Sequence, residues 1–205
     1  MAKKKERLNF NIVILGMIAS GKDTQALILQ DKYELHPVES GKYWRKLTKE
    51  NSPDGQWLRR TVSKGLPAPV ELMKKFLVRE IDKKPKNKDL IFVGNPRLKP
   101  EAQLLKKIMA EKKQQFFALY ISLPENKVYE RSLGRKAIKN HKLAGMLDTQ
   151  KLIASRINWH KKQVLKTVAY FASLKKMKVI NGNQPIEKVT ADIEKAIVGF
   201  KKQLK

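Results

Sequence analysis

Residues 16–24 read Gly16-Met17-Ile18-Ala19-Ser20-Gly21-Lys22-Asp23-Thr24, two glycines bracketing a short turn with a lysine directly after the second. An apolar run, NIVIL, leads into this turn, and TQALILQ, a helical pattern, leaves it. A strand–turn–helix junction of this kind aims backbone N–H groups and the positive end of the helix dipole at an anion. Gly16 and Gly21 permit a phosphate to approach the backbone closely, and Lys22 supplies a charge for the β- and γ-phosphates of a nucleotide. Asp23 occupies the position where the strict pattern carries a hydroxyl, and Thr24 follows it. Were the turn purely structural, Asp23 would complement the helix amino terminus, but Lys22 would be left without a task.

Arg45, after ESGKYW, and Arg97, after GNP, are the next residues fit for anion chemistry. Both follow strand-like runs, and a parallel sheet presents its ligands at the carboxyl ends of its strands.

The elements that must position these groups alternate along the chain. Strand-like runs occur at 11–16, 34–39, 89–94, 116–123 and 176–182. The first, third and fourth are almost continuously apolar, as expected of strands covered on both faces. Helical patterns occupy 21–32, 69–83, 100–114, 125–135, 149–174 and 185–204. Pro100 suits a helix's first turn, where its missing N–H costs nothing, and Pro185 plays the same part for the last helix. This alternation predicts an α/β fold, one domain over 1–205 around a central five-stranded parallel sheet. Two segments stand outside it: a mostly helical insertion over 40–68, and a polar stretch over 134–148 expected to be a flap.

Composition bounds the reading. With 205 residues, 41% of them hydrophobic, the chain can bury a substantial core. It has no cysteine, so there is no disulfide framework and no thiol chemistry. No run approaches the ~18 apolar residues of a membrane span, and the basic amino terminus has the wrong flanks for a signal peptide. A cytoplasmic monomer is expected. The formal charge is +26, from 45 Lys+Arg against 19 Asp+Glu. Such a charge attracts polyanions, nucleic acid among them, although a solvated lysine-rich surface is the plainer reading.

Several blocks in order resemble the adenylate kinase branch of the nucleoside monophosphate kinases: ILGMIASGKDTQA, ESGKYWRKL, GNPRLKPEAQ, YERSLGR, SRINWH and VINGNQPIEKV. The resemblance implies a P-loop three-layer α/β/α fold, with 40–68 as the monophosphate-binding insertion and 134–148 as a short lid. The implied reaction is reversible transfer of the ATP γ-phosphoryl group to AMP, with Mg²⁺. Gly16, Ala19, Ser20, Gly21, Lys22, Asp23 and Thr24 match the donor loop, joined by Arg131 and Gln184 at the donor base. Ser40, Gly41, Arg45, Gly94, Arg97 and Glu101 match the acceptor site. The implied catalytic set is Lys22, Arg45, Arg97, Arg135 and Arg156. Phosphoryl transfer of this kind rests on positioning and charge neutralisation, which such a set supplies.

The chain departs from the family at acidic positions associated with magnesium. Val93 and Lys42 replace aspartates, and Gly145-Met146-Leu147-Asp148 lacks one arginine and one carboxylate of the lid segment. Asp23 and Lys142 are candidate replacements, and the metal ligands are not assigned. Glu101 occupies the place of an adenine-reading glutamine; it either reads the acceptor base, with Gln103 as the alternative, or caps its own helix. Tyr43, Trp44 and Trp159 are read as packing ahead of base stacking. The alternative to the kinase is a weak or inactive kinase-like protein that binds nucleotide or RNA through its basic surface.

Overall fold

The structure is a computed structural model that describes residues 6–62, 68–134 and 150–204. Its strands are β1 (Asn11–Gly16), β2 (His36–Val38), β3 (Leu90–Val93), β4 (Phe116–Ser122) and β5 (Met177–Asn181). They form one parallel sheet in the order β2-β3-β1-β4-β5. The chain order therefore reverses beside β1, and that reversal opens the crevice in which such sheets bind ligands.

The expected five-stranded α/β architecture is present, with strand ends differing by a residue or two. β2 is shorter than the run 34–39 because Glu34 takes a left-handed conformation (φ 51) as the C-cap of the preceding helix. A residue in that region turns the chain and cannot extend a strand.

The helices are α1 (Lys22–Tyr33), α2 (Ser40–Leu47), α3 (Pro53–Val62), α4 (Val70–Asp82), α5 (Lys99–Glu111), α6 (Glu125–Gly134), α7 (Gln150–Trp159), α8 (Leu165–Ser173) and α9 (Ile186–Gln203). A π-helical turn, His160–Val164, joins α7 to α8. The expected helix over 149–174 is thus continuous in path but widened in the middle. Arg135, Lys142, Gly145–Asp148 and all of the expected flap except Gly134 lie outside the described residues, as do 63–67 of the insertion.

Two cores sandwich the sheet, as alternation along its strands requires. Val13, Leu15, Leu90, Phe92, Phe116 and Tyr120 face α4, α5 and α8, which contribute Phe76, Leu105 and Phe171. Ile12, Ile14, Ile91, Phe117, Leu119 and Ile121 face α1 and α9, which contribute Leu29, Ile193 and Phe200. A third cluster, Met17, Leu123, Val128, Ile153 and Ile157, ties α6 and α7 to the turn after β1. Through that cluster the phosphate loop and the helices bearing Arg131 and Arg156 share one foundation.

Candidate functional site

The turn after β1 has the backbone of an anion cradle. Ala19 (φ 59) and Gly21 (φ 89) are both left-handed, which curls the chain so that successive N–H groups face a common hollow. Gly21 is the N-cap of α1 and makes no side-chain cap, so the first amides of the helix remain available for an anion. Gly16 is required by space, since a Cβ there would lie 2.5 Å from Ser20 Oγ and 2.9 Å from the Ile121 carbonyl. Ser20 is buried, and its Oγ has no hydrogen-bond partner in the structure. A buried hydroxyl without a partner is costly, and its place inside the cradle makes it a ready donor to a phosphate.

A second glycine-dependent contact closes the loop from above. Gly182, just after β5, donates its N–H to the Ser122 carbonyl at 2.8 Å. A Cβ on Gly182 would stand 2.6 Å from Ile121 Cγ2 and 3.1 Å from the Ser20 carbonyl oxygen. The loop that contains Gln184 is thereby pressed against the cradle. Gln184 Nε2 donates to Asp192 Oδ2 at 2.6 Å, which fixes the amide on α9.

Lys22, from the turn after β1, and Arg97, after β3, meet over Gly94. A Cβ at Gly94 would be 3.4 Å from Lys22 Cε and 3.7 Å from Arg97 Nη2, and φ 65 also favours glycine there. Arg97 Nε donates to the Gly94 carbonyl at 2.7 Å. Its backbone is clamped twice: its N–H donates to Glu101 Oε2 at 2.8 Å, and its carbonyl accepts from Thr167 Oγ1 at 2.9 Å. Arg97 is exposed at the cleft surface, yet crowding by the surrounding chain takes enough water from its guanidinium to lower its pKa; Glu101 and Asp23 oppose this and Arg156 adds to it. A guanidinium stays protonated under such pressure. Lys22 Nζ lies 3.2 Å from Asp23 Oδ2.

Ser40, Gly41 and Arg45 lie past the carboxyl end of β2. Ser40 is buried at the start of α2, and a Cβ on Gly41 would be 3.4 Å from Arg45 Nη1, so the Arg45 guanidinium folds back over Gly41. Arg45 and Thr24 are exposed, whereas Arg131 and Arg156 are half-buried. Glu101 is buried and also accepts from the Leu98 N–H at 3.2 Å, forming the N3 half of a capping box. Burial raises its pKa, against the hydrogen bonds from Arg97 and Leu98 and the charge of Arg97. Gln103 is exposed. Tyr43 stacks on Phe76 at 5.0 Å and Trp44 packs against both rings, in keeping with the packing reading of these aromatics.

One pair behind the site was not singled out in the sequence. His160 Nε2 lies 3.0 Å from Tyr120 Oη, and both side chains are buried. Burial first, then Lys22 and Arg97, bring the His160 pKa down to about 4, so the imidazole is neutral near pH 7. A lone histidine on a helical pattern gives no sign of this in sequence, because its partner comes from β4. Asn95 is similarly hidden: fully buried, it donates from Nδ2 to the Val38 and Val93 carbonyls and ties β2 to the Gly94 turn.

A parallel five-stranded sheet, a phosphate cradle opening helix α1, and cations converging from β3 and α7 define a P-loop phosphotransferase. The family model for adenylate kinase matches residues 14–176. An adenylate kinase of Bacteroides thetaiotaomicron is 30% identical over 189 residues, covering 91% of this chain and 97% of that relative. One of Azobacteroides pseudotrichonymphae is 30% identical over 188 residues, covering 91% and 96%. One of a Geobacillus species is 26% identical over 214 residues, covering 93% and 99%. The chain belongs to the adenylate kinase family, a family of ATP-dependent nucleoside monophosphate kinases.

Proposed function

We propose that the protein transfers the γ-phosphoryl group of ATP to AMP, reversibly, giving two ADP. The observation that carries the reading is the convergence of Lys22 and Arg97 over Gly94, one from the donor loop and the other from the acceptor segment. An oxygen of the AMP phosphate attacks the γ-phosphorus, and the bond from that phosphorus to the β–γ bridging oxygen breaks. No covalent enzyme intermediate forms. Lys22 and the cradle amides hold the donor, Arg45 and Arg97 hold the acceptor phosphate, and Arg156 and Arg135 complete the neutralisation of the group in transit. Arg131 and Gln184 border the donor base.

AMP as acceptor is supported by the relatives named adenylate kinase and by the commitment of Glu101 Oε2 to Arg97 and Leu98. A carboxylate occupied as a helix cap is less available to read a guanine edge.

Magnesium fits the donor set in one manner. Among the described residues no group of three or more His, Asp or Glu side chains is placed to hold a metal ion. Mg²⁺ on a nucleotide draws most of its ligands from phosphate and water, needing one or two carboxylates at most. Asp23, beside Lys22 Nζ, and the Ser20 hydroxyl are the groups that would hold it. When bound, the ion neutralises phosphate charge.

Val93, half-buried where the family has a carboxylate, favours a second reading: a slow or inactive kinase that still binds the same nucleotides. The test is product formation from ATP with AMP, GMP, CMP or UMP, with and without Mg²⁺, beside Lys22→Ala. Magnesium-dependent ADP formation with AMP, lost in the variant, supports the kinase. Nucleotide binding without turnover overturns it in favour of the second reading.

A further inference from the structure

One run of the chain carries positive charge with none to balance it. From Gln150 to Ile186 the sequence has eight lysines and arginines and no aspartate or glutamate. These residues build α7, the π-helical turn, α8 and β5, and α8 packs beside α5 on the same face of the sheet. The two carboxylates of α5 are already engaged: Glu101 caps its own helix, and Glu111 lies 4.0 Å from Lys107.

Between α5 and α8 lies an open hollow lined by Lys99, Lys166 and Tyr170. Lower on the same face, Lys106 lies near enough to Lys176 to help lower its pKa, after burial. Lys176 stacks its ammonium over the Phe116 ring on this face, whereas Lys175, one residue earlier, lines the hollow between β5 and α9. Lys99, Lys106 and Lys166 have no ion-pair partner among the described residues. α5 and α8 both run from the carboxyl end of the sheet to its amino end. The lysines therefore form a track from the mouth of the cleft to the opposite edge.

From this juxtaposition we propose that the α5–α8 face binds the phosphodiester backbone of a nucleic-acid strand. α8 alone rises ~14 Å, at ~1.5 Å per residue. A strand places one phosphate every ~3.4 Å of helix axis, so the track spans about four phosphates. An anionic membrane is the poorer fit, because an interfacial helix needs an exposed apolar face. Here Leu165 at the start of α8 is exposed, but Phe171 is turned into the core, so no apolar face runs along the helix. The proposal is independent of the reaction in the cleft.

The test measures binding of fluorescent single strands of about 20 nucleotides, RNA and DNA, across a range of salt. Four lysines, Lys99, Lys106, Lys166 and Lys176, on a single strand predict a log–log salt slope of about −2.8. The variant Lys99→Gln/Lys106→Gln/Lys166→Gln is expected to reduce that slope by about 2 and to weaken binding about tenfold or more at ~100 mM salt. Lys176→Gln should act in the same direction and serves as a second, independent lesion. The control removes equal charge from the opposite layer: Lys188→Gln/Lys195→Gln/Lys202→Gln, with less than about a twofold effect expected.

Binding of either strand with this asymmetry supports the proposal, and a preference between them identifies the source. Equal loss in the two triple variants would mean diffuse attraction and overturn it. Displacement of the strand by saturating ATP and AMP would place binding in the cleft and also overturn it. So would track-dependent binding to vesicles of anionic lipid with none to either strand.

Discussion

The two helical layers on either side of the sheet are built to different rules. On one side, α1 and α9 carry six cations and five carboxylates, a near balance. Lys32 pairs with Glu194 at 2.6 Å, Lys201 with Glu6, and Gln25 bonds both Thr190 and the Ile186 carbonyl. On the other side, α5 and residues 150–173 carry eight cations against two carboxylates. Two long-range bonds of that side run to the site: Thr167 to Arg97, and His160 to Tyr120 beside Lys22 and Arg97. Apart from Lys22 at the start of α1, one layer holds the fold closed on itself. The other shapes the electrostatics of the cleft.

The contrast is broken most severely at the cleft. Arg97→Ala is expected to lower kcat by roughly 10²–10³, the effect of removing one preorganised charge-stabilising donor. Its melting temperature should stay within a few degrees of wild type. Steady-state kinetics beside thermal melting check this, and a large stability loss with normal kcat would reverse the assignment.

In the balanced layer the order inverts. Phe200 stacks on Phe117 at 4.4 Å and meets Phe10 edge-on at 5.0 Å. Phe200→Ala should cost ~3–5 kcal/mol of stability and leave kcat per folded molecule unchanged, by denaturant titration and active-site counting.

His160 sharpens the comparison through pH. Its folded pKa of about 4 lies below the ordinary value of 6.5. The unfolded chain therefore takes up the proton first as pH falls. This contribution to stability is complete above pH 6.5 and is lost progressively down to pH 4, at most roughly 3 kcal/mol. His160→Phe should flatten the stability profile over that window. An unchanged slope would show that Tyr120, Lys22 and Arg97, the groups facing the ring, do not keep it neutral.

The smallest effect is the most diagnostic of coupling between α8 and the site. Thr167→Val removes the bond to the Arg97 carbonyl at a cost of ~1 kcal/mol. It should raise KM for the monophosphate several-fold with KM for ATP unchanged, measured by varying each substrate in turn. Equal shifts in both constants would reduce Thr167 to a packing residue.

Much of this architecture is legible in the residues themselves. Near-continuous apolar runs mark β1, β3 and β4 because strands covered on both faces leave no polar alternation. Gly16, Gly21, Lys22 and Arg97 stand out because phosphate chemistry demands those types at those junctions. The structure adds what depends on distant neighbours. The π-helical turn inserts its extra width without altering the apolar period, so 149–174 reads as an unbroken helix. Asn95, Thr167 and the Tyr120–His160 pair gain their roles from partners 40 to 70 residues away. Glu101 allows two readings in the sequence, and its 2.8 Å bond from the Arg97 N–H shows the capping role in place.

Gly182 ties the completion of the donor loop to the last quarter of the chain. Its backbone fits against Ile121, Ser122 and Ser20 only because it has no side chain. During synthesis the glycine–lysine turn leaves the ribosome early, yet the surface that seats it arrives with β5. A ribosome-bound chain halted before β5 thus has the phosphate-binding residues without their finished setting, and nucleotide retention by such stalled chains would report when the sheet closes.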